Sequence, residues 1–355
     1  MRIVLRDIGT DMCEAGGGSQ REPYSHADLL IGTTMDEITL PPPLASAIGE
    51  YKNWSHQQLS TAEAASRITA PLYHYTDAGG LKGIIENQEI WFTSYLHLND
   101  PSELRFGMDI ASSVLREIGA AHGEPEKFFC NETNNLFRQM NVGGSLEYYI
   151  ASFSSNRDEL GQWRAYASNG HGYALGLAPR LFHAQDQPDR KPHENIFVAP
   201  VVYGEAAGRS RFSDPIQQAI AIVTRPECAA ICRGDNDLGL SFFREITGEL
   251  IKRHLMWHSL WVKHEAYQHE EEVRLIMVGE NENLAPYITT RVRGSDLVPY
   301  VKSAMPVRAT GNIVEIVIGP AAGATAEDGL KTMLNSLAVS PDGLIASSKI
   351  PYRTF

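Results

Sequence analysis

The chain has 355 residues, of which 43% are hydrophobic and 21% charged, enough apolar material for a substantial core in one or two domains. Its 43 acidic residues outnumber its 31 basic residues, and the formal net charge of -12 argues against a surface dedicated to nucleic acid or acidic membranes. The sequence shows no secretion signal and no apolar run of the ~18 residues that a membrane-spanning helix needs. We therefore expect a cytoplasmic protein without a membrane partner, and the net charge does not indicate a nucleic-acid partner.

Residues 1–70 are expected to form an accessory N-terminal segment, followed by a core domain over residues 71–355. Residues 14–20 are rich in glycine and polar side chains, which predicts a flexible leader. The rest of the segment is weakly helical, with prolines at positions 41–43 expected to break the pattern and a short helix expected over residues 59–68.

The core begins with a predicted strand–helix–strand unit. Residues 72–76 and 90–94 are rich in aromatic and β-branched side chains, which favours strands. Asp77 is expected to cap the helix between them. A second helix is expected from Asp100, because an acid, a proline and then Glu103 form a helix-starting pattern. Asn99 is left unexplained by this capping pattern.

The later elements are less regular than repeated βαβ units. This irregular order favours an α+β fold, with a mixed, largely antiparallel sheet core and packed helices. Further strands are expected over residues 148–154, 172–177, 197–203, 272–278, 313–318 and 344–348, and further helices over residues 162–167, 241–263 and 326–337.

Two patterns, one of histidines and one of cysteines, bear on metal binding. His254 and His258 are spaced as i and i+4 but lack a third ligand at a suitable spacing, so we expect surface or packing residues. The cysteines fit neither a zinc site nor a disulfide framework, and we expect free thiols and no metal. They are Cys13, Cys130, Cys228 and Cys232.

A polar histidine, His74, lies in the first predicted core strand, at the start of the core. Its ring nitrogens suit a sugar hydroxyl or a carbonyl, although a single such histidine is more often a polar residue of an edge strand. A second candidate region turns from strand to helix to strand and mixes hydroxyls, rings and a guanidinium, as suits a flat ring with polar contacts at its edge. The alternative is that its rings belong to the core. This region contains Ser152, Ser154, Trp163, Arg164, Tyr166 and Tyr173.

Two carboxylates and an arginine alternate at Glu270, Glu272 and Arg274. In a strand, these three side chains would share one face. Such a group can orient a nucleophile or stabilise a developing positive charge. An acidic run before a strand is also compatible with a solvated edge, and both interpretations stay open at this point.

The order of several blocks resembles the bacterial family called domain of unknown function 2971, over about residues 72–352. The family name implies no activity. The blocks are residues 72–76, 98–103, 153–154, 170–176, 270–274 and 318–320, with Trp163 and Tyr166 between the third and the fourth.

The opening unit also resembles, more distantly, the start of the ADP-ribosyltransferase fold, in which His, Tyr and Glu from three strands surround NAD. This resemblance implies that His74 binds a ribose hydroxyl and that Tyr166 or Tyr173 stacks on nicotinamide. It also implies that Glu272 orients the acceptor, a role for which Glu270 competes. Taking the candidate regions together, we expect catalytic roles for Glu272, Glu270 and His74, and ligand binding by Tyr75, Thr76, Asn99, Ser154, Trp163, Arg164, Tyr166, Tyr173 and Arg274.

Two functions follow as hypotheses. The first is an NAD-dependent ADP-ribosyltransferase or NAD glycohydrolase with an unknown acceptor, NAD as the substrate and no metal cofactor. The second is a non-catalytic domain that binds a nucleotide-like ligand and acts as a sensor in bacterial defence or stress response.

Overall fold

The computed structural model describes residues 41–98, 102–138, 146–183, 196–232, 246–247 and 251–352. Two compact units alternate along the chain. Unit 1 draws its described residues from Met1–Ala65, Ser102–Gly144 and Gly204–Val262, and unit 2 from Ser66–Pro101, Ser145–Tyr203 and Lys263–Phe355. The expected domain boundary near residue 70 stays a prediction, and the expected leader lies outside the described residues.

Helices and strands divide unequally between the units, with strands concentrated in unit 2. The helices are α1 (Pro42–Ala65), α2 (Ala78–Asn87), α3 (Ser102–Ala121), α4 (Glu126–Arg138), α5 (Leu160–Tyr166), α6 (Glu205–Val223), α7 (Pro226–Cys232), α8 (Lys252–Ser259), α9 (Asn281–Leu284) and α10 (Ala326–Ser336). The strands are β1 (Leu72–Thr76), β2 (Glu89–Ser94), β3 (Leu146–Ser154), β4 (Tyr173–Leu177), β5 (Ile196–Pro200), β6 (Val202–Tyr203), β7 (Val262–Lys263), β8 (Glu272–Glu280), β9 (Ile288–Arg293), β10 (Asp296–Ala304), β11 (Ile313–Ile318) and β12 (Ile345–Ser347).

Unit 2 is built on one large sheet. Its strand order is β12-β11-β4-β1-β3-β2-β10-β9, and β8 joins β3 to β5. β11 and β12 run parallel, whereas the other pairs described in this sheet run antiparallel. The expected α+β class, with a largely antiparallel sheet and packed helices, is confirmed. No helix within the described ranges is long and apolar enough to cross a membrane.

The strand–helix–strand opening of the core is confirmed. The side chain of Asp77 accepts a hydrogen bond from the backbone N–H of Gly80 at 2.6 Å, and the helix that it caps buries three apolar side chains. The helix ends where Gln88 adopts a left-handed conformation with φ of 54°. The buried side chains are Leu81, Ile84 and Ile85.

The sheet has two chemically different faces. Alternate side chains of β1, β3, β4 and β8 enter one large apolar cluster, because successive residues of a strand point to opposite faces. Phe153 and Val273 belong to this cluster. Ser152, Ser154, Glu272 and Arg274 therefore lie on the other face. The members from these strands are Leu72, Tyr149, Ala151, Phe153, Tyr173, Leu175, Leu177, Val273, Leu275 and Met277.

Three predictions of local structure were wrong. α1 begins at Pro42 and continues to Ala65, because prolines are compatible with the first helical turn, where no intrahelical N–H bond is lost; no separate helix occupies residues 59–68. The helix expected over residues 241–263 ends at Ser259 in its described part, where the backbone N–H of Trp261 bonds to the carbonyl of His258 in a tighter turn. The strand expected over residues 197–203 is two strands, β5 and β6.

The two histidines of α8 in unit 1 are packing residues, with His254 buried and His258 partly buried. The ring centroids of His254 and His258 lie 4.7 Å apart. Both ring nitrogens of His254 and Nδ1 of His258 are buried without a hydrogen-bond partner among the described residues. Burial lowers the pKa of His254 from 6.5 to about 4. It also lowers the pKa of His258, with the neighbouring His254 and Arg211 adding to the effect.

Acid should therefore destabilise the fold through these imidazoles. Between pH 6.5 and about 4, an unfolded chain protonates His254 and the folded chain does not, so the free energy of unfolding falls as the pH falls. We expect His254→Leu to flatten this dependence in urea unfolding measured across that pH range. His122→Leu, at an exposed histidine, should leave it unchanged. An unaltered slope in His254→Leu would contradict this account.

Candidate functional site

A polar cluster lies where the end of β3 meets the start of β8. Ser152 pairs with Arg274 and Ser154 pairs with Glu272 in the antiparallel register. Directly opposed residues in such a pair project to the same side of the sheet. The four side chains therefore share the face opposite the large apolar cluster.

The carboxylate of Glu272 is the centre of this cluster. Its Oε1 accepts hydrogen bonds from Ser152 Oγ at 2.7 Å and from Arg274 Nε at 2.9 Å. Its Oε2 accepts from Arg274 Nη2 at 3.1 Å and from Lys263 Nζ at 3.0 Å. Lys263 Nζ also donates to Glu270 Oε2 at 2.6 Å. The side chains of Glu270, Glu272, Lys263 and Arg274 are all buried, so two cations balance two anions away from water.

The surroundings of Glu272 hold it in its charged form. Burial alone would raise the pKa of this carboxyl, but the charges of Arg274 and Lys263 and the hydrogen bonds from Arg274 and Ser152 lower it from 4.5 to about 2. Glu272 is therefore an anion at neutral pH. A carboxylate with so low a pKa is a weak proton acceptor and a strong electrostatic partner.

The two glutamates reach Lys263 from different elements. Glu270 was predicted to share a strand face with Glu272, and this was wrong. Glu270 ends the 3-10 helix Glu265–Glu270, and Glu271 follows with a left-handed φ of 44°. Strand β8 begins only at Glu272. The turn at Glu271 directs that side chain outward, where its Oε2 accepts from Ser155 Oγ at 2.8 Å, and brings both neighbouring carboxylates to one lysine.

The cluster is accessible from one side. Ser152 is exposed although it lies on a strand bordered by others on both sides. β1 pairs with β3 through Tyr73 and Ser154, and the described register continues no further along β3. The sheet is therefore open beside Ser152, whose hydroxyl reaches Glu272. Ser154, in contrast, is buried, and its Oγ donates to the backbone oxygen of Glu270 at 2.6 Å.

His74 lies on the opposite face of the sheet from Glu272. It occupies the middle of β1, where it pairs with Leu175 of the apolar cluster. Its ring centroid is 5.3 Å from that of Phe153, and its Nδ1 lies 3.1 Å from the backbone oxygen of Ser152. Burial lowers the pKa of His74. The structure therefore does not bring His74 and Glu272 into one pocket.

The candidate aromatic residues divide between the two faces. Tyr75 and Trp163 pack edge to face at 4.8 Å. Both have internal hydrogen-bond partners, since Tyr75 Oη donates to the backbone oxygen of Asn156 at 2.9 Å and Trp163 Nε1 donates to Asp158 Oδ1 at 2.7 Å. Tyr166, half-buried, packs against the same small cluster. Tyr173 lies on the other face, in the apolar cluster with the residues that neighbour His74.

The remaining candidates are dispersed. Thr76 pairs with Tyr173 and lies on the His74 face. Arg164 is exposed on α5, and Asn99 lies outside the described residues. Among the candidates, Glu270, Glu272 and Arg274 are brought together, and Ser154 lies beside them.

Sequence reasoning did not select Lys263 as a site residue. The only signal was a lysine within an apolar stretch, and it fell at the end of the expected helix over residues 241–263. Ser152 belonged to the candidate region of hydroxyls, rings and a guanidinium but was not among the expected ligand-binding residues, because nothing in its sequence context distinguishes an exposed serine from the buried Ser154 two positions later.

Residues 162–275 match the model of a family described as "Protein of unknown function (DUF2971)". The expected resemblance is confirmed over these residues, which include Trp163, Glu270, Glu272 and Arg274. They do not include His74. No curated protein and no solved structure matches the chain.

The ion cluster makes Lys263 a sensitive position for stability. We expect Lys263→Met to leave two buried carboxylates short of one cation and to lower the free energy of unfolding by ~3–5 kcal/mol in urea titrations at neutral pH. The matched control is Lys331→Met, which removes an exposed ion pair with Glu327 and should change the stability little. Equal stability of the two variants would show that Lys263 does not balance the buried anions.

Proposed function

We propose that this chain is an NAD-dependent ADP-ribosyltransferase or NAD glycohydrolase with an ADP-ribosyltransferase-like fold, and that Glu272 is its reacting carboxylate. The observation that carries the proposal is a buried, ionised carboxylate hydrogen-bonded at 2.7 Å to the exposed hydroxyl of Ser152. A ligand in the opening beside Ser152 would meet a fixed negative charge.

A fixed negative charge suits cleavage of the bond between ribose and nicotinamide. Nicotinamide leaves with the electron pair of that bond, and positive charge develops on the ribose. An acceptor or water then forms the new bond to the same carbon and releases a proton. The low pKa of Glu272 favours stabilisation of the ribose charge over acceptance of this proton. The proton therefore passes to the solvent or to another group.

The proposal depends on Glu272 and Ser152 and gives His74 no role. The ribose contact that the resemblance implies for His74 would require the ligand to pass between the two faces of the sheet. Ser152 offers a hydroxyl on the face of Glu272, and its backbone oxygen fixes the ring of His74 behind it.

One observation favours the second candidate, a non-catalytic nucleotide-binding or sensing domain. Each carboxylate oxygen of Glu272 already accepts two hydrogen bonds, which fills the roughly four acceptor positions of a carboxylate. In this alternative, the ion cluster stabilises the sheet and the opening binds its ligand without turnover.

The two candidates differ in the release of nicotinamide. We expect the full chain incubated with NAD to release nicotinamide, quantified by chromatography. Glu272→Gln should reduce the rate at least ~100-fold, as expected for a lost electrostatic contribution. Glu271→Gln, the exposed neighbour, is the matched control and should retain the rate.

A second variant, which keeps the ion cluster intact, distinguishes a loss of activity from a loss of folding. Ser152→Ala removes one exposed hydroxyl and should lower the rate while the thermal midpoint stays within a few degrees of the parent. A rise in the thermal midpoint with NAD, without nicotinamide release, would select the binding function. If the chain neither releases nicotinamide nor shows a thermal shift with NAD, both candidates are rejected.

A further inference from the structure

A group of rings and cations lies on strands β2, β9 and β10 of unit 2. Thr93 pairs with Tyr300, Trp91 with Lys302, and Arg291 with Val298. Paired residues share a face, and alternation along β10 places Val298, Tyr300 and Lys302 on the same side. We call Trp91, Thr93, Arg291, Tyr300 and Lys302 the aromatic–arginine patch.

Arg291 has no counter-ion among the described residues. Its Nη2 donates to Thr93 Oγ1 at 3.0 Å, and its Nε is buried without a hydrogen-bond partner from any described residue. Within the described part of the chain, no carboxylate forms an ion pair with this guanidinium. Burial lowers the pKa of Arg291, and the charge of Arg293 lowers it further. A half-buried cation without an anion is unfavourable, so an external anion would be stabilised here.

The rings of the patch form a stack with one exposed member. The centroids of Trp91 and Tyr300 are 4.4 Å apart, with an interplanar angle of 30°. Tyr300 is only 6% exposed, whereas Trp91 is 37% exposed. The guanidinium carbon of Arg291 lies 5.7 Å from the centroid of Trp91 and 6.0 Å from that of Tyr300. An exposed indole beside a guanidinium is suited to a flat ring that carries an anion.

Lys302 has a different environment from Arg291. Its Nζ is 5.8 Å from the Trp91 centroid and forms an ion pair of 3.4 Å with Glu89 Oε2. The charge of Lys302 is therefore already shared with a carboxylate. Of the two cations in the aromatic–arginine patch, Arg291 is consequently the one available for an anionic ligand.

We propose that the aromatic–arginine patch is a binding site for a nucleoside phosphate. The base stacks on the exposed face of Trp91, and the phosphate receives charge-assisted hydrogen bonds from Arg291, whose planar fork matches phosphate oxygens. Anion binding depends on this one cation and not on the overall charge of the protein. The chain as a whole carries a net charge of -12 and would repel an anion that lacked such a specific cation. It requires no turnover and does not depend on the function proposed for Glu272.

The test uses the full chain with AMP as the probe, by isothermal calorimetry and by quenching of tryptophan fluorescence. We expect AMP to bind, and Arg291→Gln and Trp91→Leu each to weaken its affinity at least ~10-fold, because each removes one of the two contacts. Adenosine and inorganic phosphate, which each use one contact, should bind at least ~10-fold more weakly than AMP. The matched control Arg308→Gln, at an exposed arginine, should bind AMP as the parent does.

Several outcomes would overturn the proposal: absence of AMP binding, AMP affinity unchanged by Arg291→Gln, or inorganic phosphate binding as tightly as AMP. Arg291→Lys keeps the charge without the planar fork and should fall between the parent and Arg291→Gln. If the circular dichroism of Arg291→Gln differs from that of the parent, Arg291→Lys is used in its place. Nicotinamide release from NAD is scored separately, so loss of AMP affinity in Arg291→Gln supports the patch even if the parent chain does not cleave NAD.

Discussion

The carboxylate of Glu272, buried inside a sheet, is the constraint on which the candidate site depends. A buried carboxylate without partners costs several kcal/mol, so its cations must be in place in the folded state. Arg274 comes from the same strand, Lys263 from β7 and Ser152 from β3. A slip of one residue between β3 and β8 would turn Glu272 toward the apolar cluster. The ion cluster therefore specifies the register of the two strands as well as the chemistry of the site.

The alternation of side chains between the two faces of a strand explains which parts of the site the sequence could predict and which it could not. Period-two patterning placed Glu272 and Arg274 on one face, and the structure confirms this for these two residues. It could not place His74, because the face of a residue relative to another strand depends on which residues pair. The pairing of Tyr73 with Ser154 and of His74 with Leu175 decides this. The resemblance supplied residue types, and the register that separates His74 from Glu272 is a property of the folded sheet.

Sequence signals that act within a few residues predicted some helices and strands well. Features that depend on residues distant in sequence were predicted poorly. β1, α2 and β2 were predicted because caps and β-branched runs act within a few residues. Helix α6, with Pro215 in its interior, and the hairpin of β9 and β10 were missed. In that hairpin, Leu297, Val298, Tyr300 and Val301 form a continuous run around Pro299 with no polar residue between them, and Val292 and Leu297 are exposed, so no alternation of polar and apolar side chains marks its strands. The aromatic–arginine patch lies partly on these strands, and its members are distant in sequence.

One face of the sheet carries both the patch and the ion cluster. Thr93 pairs with Ile150, which lies two residues before Ser152 on the same face of β3. Arg291 reaches Thr93 on β2, and β2 is separated from β8 by β3 alone, a distance of two strand spacings or about 10 Å. A mononucleotide bound at the patch would leave the opening at Ser152 free, whereas an extended dinucleotide would reach both. In the proposed cleavage of NAD, the low pKa of Glu272 would matter at the far end of such a ligand, because a carboxylate that stays ionised would keep its negative charge beside the ribose as positive charge develops there.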